Sequence, residues 1–210
     1  MIWKDYSDLK KKFKNNHAFC SASNYHWRNY DKEKLIQSKV NSYANTVGTL
    51  LHDYAAESIE KGFKAYKGDK RSILRYLVIE NNIPDYAVDI DYLFPNLMNY
   101  INDSIGYRMK PEVFLYYSDN FYGWTDAISY KDGVLRISDL KTGRTPVSFM
   151  QLENYAAFFC LDYKVKPSDI TKLEFRIYQN GEIIFADPDP KIIHPITEQI
   201  IEFNNALENI

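Results

Sequence analysis

Two carboxylates and a lysine brought to one point can do hydrolytic chemistry. Oxygen donors hold a hard divalent cation, and an ammonium group orients water or offsets charge that develops on a phosphate. Asp126, Asp139 and Lys141 are candidates for such a set. Between the two acids stands Lys131-Asp132-Gly133, and an Asp-Gly step flanked by β-prone runs is a strong hairpin signal. If Asp132-Gly133 is a two-residue turn, Lys131 faces Val134, Tyr130 faces Leu135 and Ile128 faces Ile137. The same register sets Asp126 opposite Asp139. Opposed residues have Cβ atoms about 4.5–5.5 Å apart, so the two charges repel unless a cation lies between them. By strand alternation Ile128, Leu135 and Ile137 share the side of the acids, which places the acids at the end of a buried apolar face. Lys141, two residues past Asp139, projects from that face too. The alternative is a surface ion-pair cluster on an exposed strand.

The elements that must position these groups follow from hydrophobic period and breakers. Tyr6 to Lys14 reads as a short polar helix, and Ser23 caps a segment through Trp27 and Tyr30. Val47, Leu50, Leu51, Tyr54, Ala55 and Ile59 recur near the helical period, predicting a helix from Tyr43 to Lys61 that Gly62 ends. Asp69 to Glu80 is expected as another, and Asp89 to Tyr107 as a third, interrupted or kinked at Pro95. Strands are expected at Val113–Tyr117, Phe121–Tyr130 and Val134–Leu140. A helix then opens at Pro146 or Val147 and runs to about Tyr163. Leu173–Tyr178 and Glu182–Phe185 flank Asn180-Gly181 as a second hairpin, and Ile192 to Leu207 closes the chain as a helix. This order implies an α/β or α+β domain with a central mixed sheet flanked by helices. No linker or repeat interrupts it, so one domain is expected over 1–210. It has a helical part to about 108, a sheet core at about 109–187 and a C-terminal helix at about 190–208.

On these residues the chain resembles the PD-(D/E)XK superfamily, in particular its RecB-like and phage-type exonuclease branch. Gly123-Trp124-Thr125-Asp126 followed by Asp139-Leu140-Lys141-Thr142-Gly143 is similar to that branch's core pattern. Gly48-Thr49-Leu50-Leu51-His52 looks like its helical histidine motif, and Gln151 and Tyr155 like its Gln-x-x-x-Tyr. Glu112 stands where an acid precedes the hairpin, and Ser23 and Trp27 resemble its entry segment. The likeness spans about residues 21 to 160 and implies a restriction-endonuclease-like core. It further implies that Asp126 and Asp139 bind Mg²⁺ or Mn²⁺ with the backbone carbonyl of Leu140, and that Lys141 positions the nucleophilic water. His52 and Glu112 would complete the metal shell; Gln151 and Tyr155 would contact phosphate or support Lys141. DNA is the implied partner, with an annealing protein, a helicase or another recombination protein, or further copies of the chain, beside it. A phage or mobile element is a fitting source. Digestion from ends is the leading activity, endonucleolytic or structure-specific cutting the runner-up, and a catalytically silent nucleic-acid binder the alternative of another class.

Composition narrows the field. The net charge of −2 is not that of a protein that coats nucleic acid, so contact with DNA must rest on local basic surface. Two runs qualify: Lys10, Lys11, Lys12 and Lys14, and then Lys61, Lys64, Lys67, Lys70, Arg71 and Arg75; each also reads as a solvated helix face. Two cysteines cannot supply the four thiolates of an iron–sulfur cluster, so a cluster-free protein is expected. No stretch is apolar enough to span a membrane and no secretory signal is seen, which predicts a cytoplasmic protein with free thiols.

Overall fold

The structure, a computed structural model, describes residues 11, 18–23 and 25–209. The chain divides into two compact units, residues 1–43 and 44–210. In the first, Tyr25–Asn29 forms a 3₁₀ turn where the Ser23 segment is expected, and the Trp27 indole donates to the Ser21 carbonyl at 3.0 Å. Helix α1 (Lys32–Asn41) follows, with Asp31 accepting from the Lys34 amide at 2.7 Å as N-cap. The expected helix over Tyr6 to Lys14 lies outside the described residues, apart from an exposed Lys11.

The second unit holds α2 (Ala44–Lys61), α3 (Lys70–Arg75), α4 (Ile90–Gly106), α5 (Met150–Asp162) and α6 (Ile193–Glu208) around a five-stranded sheet. Its strands are β1 (Lys110–Ser118), β2 (Phe121–Lys131), β3 (Val134–Leu140), β4 (Lys172–Gln179) and β5 (Glu182–Ala186), paired in sequence order. All pairings are antiparallel except β3 with β4, which α5 joins as a crossover. The fold is therefore α+β with a mixed sheet flanked by helices. Both hairpin signals act as expected: Asp132 and Gly133 have φ of 53° and 78°, Asn180 and Gly181 56° and 76°, the left-handed pair that a two-residue turn of this kind requires.

Leu115, Ile128, Leu135 and Ile137 of the sheet pack with Leu152, Ala156 and Ala157 of α5 and with Ile193 and Ile200 of α6. Val47 and Leu51 of α2 and Leu97, Tyr100 and Ile101 of α4 are buried as well. Three expectations are corrected. Of the interruption or kink expected at Pro95, the interruption is absent, since helix α4 is continuous through that residue. The helix expected to Glu80 is α-helical only to Arg75 and finishes as a π turn, Tyr76–Glu80. Helix α5 opens at Met150, later than Pro146 or Val147, because the chain before it is held as a loop. The Gln179 amide donates to the carbonyls of Gly143 and Thr145 at 2.7 and 2.9 Å, and the Tyr92 hydroxyl to Gly143 at 2.7 Å.

Candidate metal centre

The β2–β3 register is the expected one: Lys131 pairs with Val134, Tyr130 with Leu135 and Ile128 with Ile137, which carries Asp126 opposite Asp139. On the other side of β2, Pro111 pairs with Ala127 and Val113 with Thr125, so Glu112 falls opposite Asp126. Three acids thus stand in one row across three strands. Glu112 has φ of 48°, left-handed backbone within a strand, where a residue with a Cβ is strained. Pairing of Lys110 with Ile128 and of Pro111 with Ala127 starts β1 at Lys110, three residues before the apolar run that announces it in the sequence.

Helix α2 brings His52 to the row. Gly48 precedes it by one turn on the same face, and a Cβ on Gly48 would lie 3.1 Å from the Thr142 hydroxyl, so the glycine lets the helix approach the loop after β3. The ligand atoms of His52, Glu112 and Asp126 all lie within 4.8 Å of one another. His52 Nδ1 is 3.5 Å from Asp126 Oδ2. The Leu140 amide donates to Asp126 Oδ2 at 2.8 Å. Asp139 is 3% exposed. Its Oδ1 accepts from Lys141 Nζ at 2.9 Å, and its Oδ2 is buried with no hydrogen-bond partner. Lys141 also donates to Gln151 Oε1 at 3.0 Å, and the Gln151 amide reaches the Tyr155 hydroxyl at 3.2 Å. Gly123 makes room for this chain of contacts, since a Cβ there would fall 2.8 Å from the Tyr155 ring. All eight residues singled out from the sequence, His52, Glu112, Asp126, Asp139, Leu140, Lys141, Gln151 and Tyr155, are therefore linked in one neighbourhood.

The electrostatics are those of excess negative charge. Burial, then the charge of Asp139, pushes the Asp126 carboxyl well above the usual carboxylate range. Burial raises Glu112 as well. It lowers His52 against the opposing pull of Glu112 and Asp139, which leaves a neutral imidazole with a lone pair to offer. Burial and the charges of Asp126, Glu112 and Asp139 push the Tyr100 phenol far up. Carboxylate oxygens, a neutral imidazole and an orphaned buried oxygen make a donor set that fits a hard divalent cation, which would relieve the repulsion along the row.

Glu112, Asp126 and His52 open into a cleft of about 600 Å³ whose walls include Asn45, Thr49, Asp53, Trp124 and Thr142. Sequence reasoning did not assign these five to the site. Thr49, Trp124 and Thr142 lie inside the quoted motifs, and Asp53 follows His52; Asn45 carries no motif signal. Of the second basic run, Lys61 ends α2, and Lys70, Arg71 and Arg75 stand on α3. Lys61, Lys70 and Arg75 are paired with Glu57, Asp91 and Glu80, as a solvated helix face would be. Cys20 is exposed and Cys160 buried, both as free thiols, and burial pushes Cys160 up to about 11. No helix among the described residues is long and apolar enough to cross a membrane. Comparison of the chain with protein-family models, with curated proteins and with solved structures gives no match.

Proposed function

We propose that the chain is a divalent-metal-dependent nuclease of the PD-(D/E)XK type that hydrolyses phosphodiester bonds in DNA, digesting it from ends. One observation carries this reading. Three acids stand in a row, and the most buried of them, Asp139, keeps one oxygen unpartnered while Lys141 holds the other. A structural ion pair needs neither a third acid nor an orphan oxygen.

His52, Glu112, Asp126, Asp139 and the carbonyl of Leu140 would hold the cation. When bound, Mg²⁺ or Mn²⁺ supplies polarisation of the phosphate and eases ionisation of water. The rest falls to the chain. Lys141, fixed between Asp139 and Gln151, orients water for attack on phosphorus and offsets charge on the phosphate oxygens. The water oxygen bonds to phosphorus and gives up a proton to solvent, the P–O bond to the leaving strand breaks, and that leaving oxygen takes up a proton from solvent. Gln151 and Tyr155 hold the lysine in line.

The test is digestion of end-labelled linear DNA and closed circular DNA with Mg²⁺, with EDTA, and with Lys141→Ala in parallel. Loss of linear DNA by wild type alone, stopped by EDTA and by Lys141→Ala, is the expected result. Nicked circles would reassign the activity as endonucleolytic. No cutting with Mg²⁺ or Mn²⁺ would overturn the reading in favour of a binding role.

A further inference from the structure

The strands that carry Glu112 and Asp126 continue into a ladder of exposed aromatic rings. Phe114 pairs with Trp124 and Tyr116 with Tyr122. Phe114 lies 4.8 Å from Trp124, 5.6 Å from Tyr122 and 6.1 Å from Tyr116, centroid to centroid. Trp124 and Tyr122 are more than half exposed, Phe114 and Tyr116 about two-fifths. β1 is an edge strand, where exposed side chains are commonly charged. A contiguous apolar patch at such a place marks a binding surface.

We infer that this ladder is a stacking platform for unpaired bases, so that the strand entering the metal centre is single-stranded; the inference rests on the nuclease reading above. Two features favour bases, and a third limits where the strand can lie. Phe114 is two residues from Glu112 and Trp124 two from Asp126, a step of roughly 6.8 Å along a strand, so a phosphate at the acids has its neighbouring base within reach of these rings. Trp124 lines the same cleft as Glu112 and Asp126, so a protein seated on it would roof the site that substrate must enter. The far end of the ladder is acidic: Asp119 accepts from the Tyr116 hydroxyl and Asp162 from the Tyr116 amide. That end repels phosphate and leaves Phe114, Tyr122 and Trp124 as the stacking surface. Stacking on aromatic faces is tolerant of sequence, because every base has a π-face.

The experiment measures binding of labelled oligo(dT) and of a blunt duplex by the full chain with Ca²⁺. Wild type is compared with a Phe114→Ala, Trp124→Ala double variant and with Trp124→Phe. Wild type should prefer oligo(dT). The double variant should lose on the order of tenfold or more on oligo(dT). It should change by less than about twofold on the duplex, an effect near the noise of such measurements, and Trp124→Phe should retain most of the oligo(dT) affinity. Equal loss on both forms, no loss, or no binding of oligo(dT) by wild type would overturn the platform. So would self-association of wild type that the double variant abolishes, because a second copy would then be the occupant. Cutting with Mg²⁺ is read separately. Oligo(dT) bound through the ladder with nothing cut sinks the nuclease reading alone. Indifferent cutting of both forms, unchanged in the double variant, sinks the platform alone.

Discussion

Asp139 and Glu174 are buried carboxylates on adjacent parallel strands, 3% and 7% exposed, and their surroundings are opposite. Glu174 is ringed by cations: Arg136, Lys172 at 2.7 Å and Arg176 at 3.7 Å. Arg136 and Arg176 also lie over the ring of Tyr107. Burial alone would raise the Glu174 carboxyl; hydrogen bonds from Lys172 and Arg136 and the charges of both outweigh it and leave it below its ordinary value. Asp139 has a single lysine, an oxygen with no partner, and a second acid opposite it. The contrast separates two uses of a buried charge. An acid matched by the chain's own cations holds the fold together. Acids in a row with fewer cations than charges would, under the proposed function, hold a place for a cation from solution.

Three measurements break or sharpen this comparison. The largest effect is expected in activity. Asp126→Ala should lower cleavage by at least about 10²–10³-fold, the loss of several kcal/mol of cation-dependent stabilisation. Glu174→Gln, compared per folded molecule, should cut nearly as wild type. Equal losses in both would erase the distinction. The next effect is on stability, read by urea unfolding in EDTA. Glu174→Ala strands Arg136 and Arg176 and should cost about 3 kcal/mol or more. Asp139→Asn removes a repulsion and should cost little or be stabilising; a loss as large as that of Glu174→Ala would show Asp139 to be structural.

The smallest effect is on pH dependence. A carboxyl whose pKa is lowered by folding binds fewer protons in the folded state. Its contribution is therefore present above the ordinary Glu pKa and lost as pH falls through the folded value. The stability gap between wild type and Glu174→Gln should be full at neutral pH and narrow below the ordinary Glu range. A gap that widens on acidification would contradict the ring of cations around Glu174. Denaturant midpoints taken across that range decide it.

Legibility in the sequence followed the range of the interactions. The register that opposes Asp126 to Asp139 was readable because it depends on a turn of two residues, whose left-handed backbone suits Asp-Gly. The apolar face was readable for the same reason, and Ile128, Leu135 and Ile137 are indeed core. Helix α1 was missed because no residue of it is buried and its helical pattern carries no apolar stripe. The start of α5 was misjudged because side chains from distant elements, Tyr92 and Gln179, hold the loop before it.

By itself, then, the sequence determined the two hairpins, the pairing of the acids across one of them and, α1 apart, the order of helices and strands. These rest on turn conformation and side-chain period, which are local. Only the tertiary structure decided that Glu112 joins the row through a left-handed residue, and that His52 reaches it from a helix held close by Gly48 and Thr142. It alone decided that Glu174 is ringed by three cations while Asp139 has one lysine and an oxygen without a partner. Those outcomes depend on which distant charges and surfaces the fold brings within a few ångströms, and the energy of a buried charge is set by those neighbours.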